Sequence, residues 1–545
     1  MQNFKLPILF FFVCMLYRVN VLAQQNDQQP RLIHLNGTTR LYVGGNPFLI
    51  LGGELGNSTA SSIDYMRPVW QKLKSMHLNT VLAPVYWELM EPVEGKFDFV
   101  LVDSMLAEAR KQDLKLILLW LGSWKNSMSC YAPEWMKLNQ QRFERAKDSK
   151  GHGLEILSAF NQMNLNADIT AFTVLMKHIA QVDAREKTVI MVQVENEIGM
   201  LTEAREYTDA ANLAFQQKVP DQLMNYLKKN KKVLVPELQI CWSKQGFATT
   251  GSWEEIFGKS PATDEIFQAW QYAVYSNAVA VAGKKEYNIP MYVNAALNYK
   301  NVLPGQYPSG GPLPHLMDIW QAGAPAIDIL SPDFYNPYFR SYCELYVRRN
   351  NPLFIPEIRS EPGNAAKVFL AVGHYNAIGF SPFSIESAVD ASEEPLAKSY
   401  SLLQQLSSLI LENQSTGKMD GVLLDSGLQK QELTMGDYKL TVSHEYTLGW
   451  SAGSKDPGWP ESGGLIVQTA PNEFIIAGSG IVVNFSSAKD PNNFIGILNA
   501  YEGEYINGKW IPGRRMNGDQ DHQGRHIRIP VKEFSIQQVK IYEYR

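Results

Sequence analysis

The chain has 545 residues, 45% hydrophobic, 19% charged and 11% aromatic. Its net charge is only −5, with no long basic run, which gives a nucleic-acid role little support. An aromatic surplus without basic charge suits flat, neutral ligands such as sugar rings, whose C–H faces stack on Trp and Tyr.

The N-terminus reads as a targeting segment. Lys5 supplies a positive start, and "LPILFFFVCMLY" (Leu6 to Tyr17) is an apolar core too short to span a bilayer. "VLA" (Val21 to Ala23) sets small residues at the −3 and −1 positions of a cut before Gln24, so 1–23 is expected to be a signal peptide. A buried N-terminal helix is the alternative. Cys14 lies mid-core behind Phe12 and Val13, which does not suit a lipid anchor. No other long apolar run occurs, so no membrane span is expected and the mature protein is expected to be periplasmic or extracellular. Cys130, Cys241 and Cys343 are odd in number and far apart, neither a disulfide scaffold nor a zinc pattern.

From about residue 44 to 411, short apolar runs alternate with amphipathic stretches. The candidate strands are "PFLILGGEL", "NTVLAPVYW", "LKLILLWLG", "VIMVQVENE", "PMYVNAAL", "AIDILSPDFY", "PLFIPEIRS" and "AIGFSPFSIE". Their continuous Val/Ile/Leu character fits strands buried on both faces of a parallel sheet. Ile63, Met66, Trp70, Leu73 and Met76 share one helical face, Val102, Met105, Leu106 and Ala109 another, and "LAKSYSLLQQLSSLILE" closes the set. Eight such units predict an α/β fold, a (β/α)₈ TIM barrel spanning 24–415. An open doubly wound sheet is the alternative, but no Gly-rich phosphate loop follows its first strand. Residues 200–289 read as an insertion on the catalytic face, with a second over about 124–164. After about 416, short alternating strands punctuated by Gly, Asn, Asp and Pro predict a C-terminal β-sandwich over 416–545, jelly-roll-like, with a bracing role.

The fourth strand ends on Glu195, Asn196 and Glu197, and the seventh on Pro356 and Glu357. A carboxylate closing an apolar strand is costly without a partner or a purpose. Two of them facing across a barrel mouth suit glycoside hydrolysis, one as nucleophile and one as acid/base. The alternative is a buried salt bridge from each Glu to an Arg or Lys. An Asn beside the acid would suit a hydrogen bond to a sugar's 2-hydroxyl.

An Asn-Glu pair closing strand four, with a Glu closing strand seven, resembles the clan of retaining (β/α)₈ glycosidases. "GGELGNST", "NTVLAPVYWELMEPVEGKFDF" and "VQVENEIG" are similar to glycoside hydrolase family 35, the β-galactosidases, over most of the barrel. The C-terminal part resembles the β-sandwich of an exported bacterial subgroup. The resemblance implies Glu197 as acid/base, Asn196 as the amide beside it, Glu357 as nucleophile and Glu195 as a supporting carboxylate. It implies a carboxyl separation of about 5–5.5 Å.

The sequence departs from that family at Pro84, Glu88 and Met90, and at "LGSWKN", where family members carry acidic residues around a Trp. Trp124 and Asn126 are therefore candidates for an altered sugar-reading shell, with ordinary loop packing as the alternative. In the wider clan a Tyr ending strand six holds the nucleophile, a role that falls on Tyr335, with Asp333 beside it; a core Tyr is the alternative. Trp87 is placed either at the mouth or in the core. Core packing is the preferred reading of Trp242, and a solvated or core role that of His315. No metal or cofactor motif and no "G-x-S-x-G" elbow occurs.

The expected function is a retaining exo-β-galactosidase trimming plant-type oligosaccharides. The alternatives are a β-glycosidase for another sugar and a non-catalytic carbohydrate-binding protein. The expected partner is an oligosaccharide, and the oligomeric state stays open.

Overall fold

The computed structural model describes residues 28–348 and 351–545; the expected signal peptide, 1–23, lies outside them. A closed barrel of eight parallel strands forms the centre. The strands are β1 (Ile50–Glu54), β2 (Thr80–Tyr86), β3 (Lys115–Lys125), β4 (Val189–Asn196), β5 (Met291–Ala296), β6 (Ile329–Phe334), β7 (Phe354–Ile358) and β8 (Gly379–Pro382). They pair in chain order, and β8 closes on β1. Each coincides with one of the eight apolar runs, β3 extending three residues past its run, because a strand covered by helices outside and filled with side chains inside is apolar on both faces. A three-stranded antiparallel sheet (Arg31–Leu35, Thr38–Val43, Asn46–Phe48) precedes the barrel and was not anticipated.

Two local expectations are corrected. The face running from Ile63 to Met76 is not one helix. It breaks into Ile63–Met66 and Val69–Ser75 at Pro68, which has no N–H to continue the ladder. Met66, Trp70, Leu73 and Met76 are buried, and Ile63 only partly. The segment 200–289 is not insertion throughout. Its last part is the helix Pro261–Glu286, which packs on the helix Gln162–Asp183 in the outer layer. Four short helices, from Asp209 to Phe257, fill the rest.

After the helix Pro395–Asn413 come two antiparallel sheets, of six and four strands. "EFIIAGSGIVVNFS" is not one strand. Its Gly480 takes φ +71°, and the chain passes there from the six-stranded sheet (Glu473–Ser479) to the four-stranded one (Ile481–Ser487). The two sheets share a core that includes Val422, Ile466, Ile476, Val442 and Val483. Leu423, Leu465, Val467 and Ile475, on the opposite face of the six-stranded sheet, join the core of the barrel. That sheet is thus apolar on both faces, and its partner on the barrel side is the helix Asn364–Gly373.

The approach is close because Gly421 has no side chain. A Cβ there would lie 2.0 Å from the carbonyl oxygen of Phe369. Gly421→Ala should therefore destabilise the protein by about 1–3 kcal/mol, the usual range for overpacking. Differential scanning calorimetry checks this, and an unchanged Tm would refute the close contact.

Candidate active site

The C-terminal ends of the barrel strands converge on a cluster of buried ionisable groups. β1 contributes Glu54, β3 Lys125, β6 Asp333 and β7 Glu357, while Glu197 follows directly on β4. All five are at most 5% exposed. Along β6 and β7, Asp333 and Glu357 stand opposite each other in register.

The end of β4 is bent to deliver its three polar residues to different places. Glu195 has φ +62° and Glu197 φ +44°, left-handed conformations that non-glycine residues seldom adopt. They break the strand's alternation, so Glu195 and Glu197 no longer share a direction. Glu195 is directed away from the cluster. It accepts the Trp124 N–H at 2.8 Å and lies beside Gly122, where a Cβ would stand 2.8 Å from its Oε1. Asn196 pairs with Lys125, whose Nζ donates to Asn196 Oδ1 at 2.9 Å. The Glu197 backbone is pinned from two sides. Its N–H donates to Asn294 Oδ1 at 3.0 Å, and its carbonyl accepts the Ser127 N–H at 3.2 Å. Asn294 donates in turn to Asp333 Oδ2 at 2.6 Å.

One carboxylate oxygen from each of Glu197, Asp333 and Glu357 lies within 4.8 Å of the other two. Such a trio could hold a cation, but Lys125 already supplies positive charge to the cluster, and Tyr335 donates its hydroxyl proton to Glu357. The donors present suit a site that stores protons.

The protonation pattern is uneven. Burial, then the charge of Glu357, pushes Glu197 up to about 7, against a smaller opposing pull from Lys125 and a hydrogen bond from Asp333. Glu54 and Asp333 are raised well above the carboxylate range, by burial first and the Glu357 charge second. Burial lowers the Lys125 pKa, but the surrounding carboxylates, Glu357 foremost, more than offset it, and the net shift is upward. One ammonium cannot balance four buried carboxylates, so some of them carry protons at neutral pH.

The structure brings together Glu197, Glu357, Asn196 and Tyr335. It does not bring Trp124 or Trp87 to them. Neither indole has exposed surface. Trp124 donates to the Leu157 carbonyl and packs between Tyr272 and Tyr275; Trp87 donates to Glu91. With both faces covered and the N–H satisfied, neither offers a platform to a sugar. Asn126 is exposed in the turn after β3 with φ +50°. Trp242 is core, and His315 pairs with the buried Glu265.

Sequence reasoning missed Lys125, Glu54 and Asn294. Lys125 stands between the two residues chosen from "SWKN". Glu54 obeys the rule that picked Glu357, a carboxylate closing an apolar strand. Asn294 is the polar residue in "MYVNAA".

A β-galactosidase family model, that of glycoside hydrolase family 42, matches residues 63–277, which include Glu197 but not Glu357. That match lies within the barrel and covers less than half of the chain. The family 35 likeness of the motifs is not supported: the model that matches is that of family 42. A domain of unknown function (DUF5597) matches residues 396–528. No curated protein matches the chain.

Among solved structures, β-galactosidase from the psychrophilic Marinomonas ef1 is similar at 14% identity and TM-score 0.44, covering 67% of this chain and 60% of that one. A catalytic mutant of a family 42 β-galactosidase from G. stearothermophilus has 10% identity and TM-score 0.49, covering 90% and 98%. The β-amylase catalytic domain from Paenibacillus polymyxa has 12% identity and TM-score 0.46, covering 65% and 98%. The chain thus spans 60% of the length of the Marinomonas enzyme. Likeness at this level does not bear on the chemistry, which rests on the site's own geometry.

The raised pKa of Glu197 has a consequence for stability. The folded state holds this proton up to about pH 7, while the unfolded chain releases it near 4.5. Between those values the folded state binds more protons, so stability falls as pH rises. Glu197→Gln, which cannot ionise, should gain up to about 3 kcal/mol over the wild type between pH 4.5 and 7. Tm measured across that range reads the gain, and parallel Tm curves for the two proteins would refute it.

Proposed function

We propose that the protein is a retaining exo-acting β-glycosidase, with terminal β-galactose as its leading substrate. The observation that carries this reading is the approach of Glu197 and Glu357 to within 4.8 Å, with the Glu197 carboxyl held up to about 7. Inverting enzymes need about 6.5–9.5 Å to admit a water between the two carboxyls, and retaining enzymes about 5–5.5 Å. The spacing here favours retention.

In the first step Glu357 attacks the anomeric carbon while Glu197 gives its proton to the departing oxygen. A covalent glycosyl ester forms and the glycosidic bond breaks. In the second, Glu197 takes a proton from water, the water oxygen attacks the same carbon, and Glu357 leaves as carboxylate. The Tyr335 hydroxyl orients Glu357. Asn196 accepts from Lys125 through Oδ1, which leaves Nδ2, without a partner among the described residues, to donate to a sugar 2-hydroxyl. Burial and the Glu357 charge raise Glu54 and Asp333 well above the carboxylate range, which disfavours further negative charge beside the nucleophile.

A β-glycosidase for another sugar is the second reading. It is favoured by Lys125, a buried cation that changes the polarity of the site beside Asn196. Plant-type oligosaccharides and export to the periplasm or beyond complete the proposal.

Hydrolysis of a panel of nitrophenyl glycosides, with the first-formed anomer followed by NMR, tests both sugar and stereochemistry. Inversion would refute the mechanism. Glu357→Ala should abolish turnover, a loss of at least about 10⁴-fold. Glu197→Ala should leave a slow enzyme that azide accelerates, because the nucleophile survives; a variant indifferent to azide would remove Glu197 from the acid role. The proton needed in the first step is present below about pH 7. Wild-type kcat/KM should therefore fall on the alkaline side of about 7, and Glu197→Ala should lose that limb.

A further inference from the structure

Beside the end of β4, on the side away from the carboxylate cluster, lies a second pair of carboxyls, Glu195 and Asp168. Asp168 belongs to the outer-layer helix Gln162–Asp183, and neither residue has exposed surface. Their side chains are in hydrogen-bonding contact. We propose that Asp168 is a positioning residue for the acid/base: Glu195 carries a proton, donates a hydrogen bond through it to Asp168, and so holds the bend that presents Asn196 and Glu197 to the substrate. The proposal rests on the glycosidase reading above and adds to it an anchor in the outer layer of the barrel.

The pattern of donors places the proton. Asp168 Oδ1 accepts the Trp120 indole N–H at 2.9 Å, and Oδ2 accepts the Ser123 hydroxyl at 2.6 Å. The Tyr275 hydroxyl lies 2.8 Å from Ser123 Oγ and 3.2 Å from Asp168 Oδ2. Both Asp168 oxygens thus face donors, the surroundings of an ionised carboxylate. Glu195 is the reverse. Its Oε2 accepts the Trp124 N–H at 2.8 Å. Neither carboxyl forms an ion pair among the described residues, and the buried Glu195 Oε1 has no hydrogen-bond donor there either. Two ionised carboxylates in contact would repel strongly in so dry a place. A proton on Glu195 Oε1 removes the repulsion and supplies the missing bond. Burial first, and the Asp168 charge second, hold the Glu195 carboxyl well above the ordinary carboxylate range.

The pair sits where it steers the site. Glu195 is one of the two left-handed residues that flank Asn196. Its carboxyl bonds the backbone of Trp124, the neighbour of Lys125, so one side chain ties the ends of β3 and β4 together. Gly122 keeps the space between the partners open. A Cβ there would stand 2.3 Å from Trp120 Nε1 and 2.8 Å from Glu195 Oε1. The one negative charge of the pair rests on Asp168, in the outer layer. It is thereby kept off the end of β4, beside a mouth that already buries four carboxyls around one ammonium.

Infrared spectroscopy reads the proton directly. At about pH 7, where exposed carboxyls are ionised, the difference between wild type and Glu195→Gln should show the carbonyl band of a protonated acid. Its absence would overturn the proposal. Kinetics reads the positioning, through kcat/KM, which reports the first chemical step. Methyl β-galactoside has a poor leaving group that needs the acid, whereas dinitrophenyl β-galactoside has a good one that needs it little. Asp168→Asn, whose amide cannot accept at both positions, should lower the methyl glycoside about 10-fold, the loss of roughly one good bond, and the dinitrophenyl glycoside less than about threefold. Glu195→Gln, whose amide can donate to Asp168 and accept from Trp124, should lose less than Glu195→Ala, which can do neither. Equal losses on the two glycosides, or none, would overturn the positioning role. If the wild type cleaves neither glycoside, the glycosidase reading fails by itself, and the shared proton is still decided by the infrared band.

Discussion

The site depends on burying four carboxyl groups around one ammonium. Glu54, Glu197, Asp333 and Glu357 come from four different parts of the barrel, and each alone would be expensive to bury ionised. Lys125 makes the arrangement tolerable but cannot neutralise it. The remaining excess is removed by protons, which settle where burial is deepest and a neighbouring charge nearest. A carboxyl that keeps its proton near neutral pH is thereby obtained at Glu197 without any special donor. The polarity of the mouth thus favours a protonated carboxyl at Glu197 through burial and the neighbouring charge of Glu357.

That electrostatic arrangement requires a backbone that departs from the ordinary strand. Two left-handed residues flank Asn196, at a cost of roughly 1–3 kcal/mol each. They separate three adjacent polar side chains into three jobs: Glu195 ties down the end of β3, Asn196 meets Lys125, and Glu197 enters the carboxylate cluster. Bonds from Asn294 and Ser127 hold the bent segment in place. The strain and its compensation sit in the same few residues, as expected where geometry serves chemistry rather than stability.

The barrel was legible in the sequence because its strands are buried on both faces and read as unbroken apolar runs. Glu197 and Glu357 stood out as charges ending such runs. Glu54 ends its run in the same way but passed unassigned inside a motif valued for its family likeness. Lys125 was hidden for a different reason: a lysine in a polar turn looks solvated until β3 is seen to extend through it, from Lys115 to Lys125. The two tryptophans misled because an aromatic near a strand end fits a sugar platform and a core equally well, and only packing against Tyr272, Tyr275 and Trp120 separates the two. In the second domain, Phe494–Ile506 and Lys509–Met516 are long strands, the first mostly half-buried and the second mostly exposed, which carry no periodic signal.

The same two-sided burial that identifies the barrel strands explains how the second domain is joined. The six-stranded sheet gives alternate residues to the sandwich core and to the barrel core, as Val422 and Leu423 do in sequence. A sheet committed on both faces cannot swing away from the barrel without exposing one of its apolar faces to water. The helix it packs on, Asn364–Gly373, starts a few residues after Glu357 and carries Lys367. Bracing and site geometry are therefore linked through one element: the helix that anchors the sandwich also fixes the chain leaving β7, the strand of Glu357.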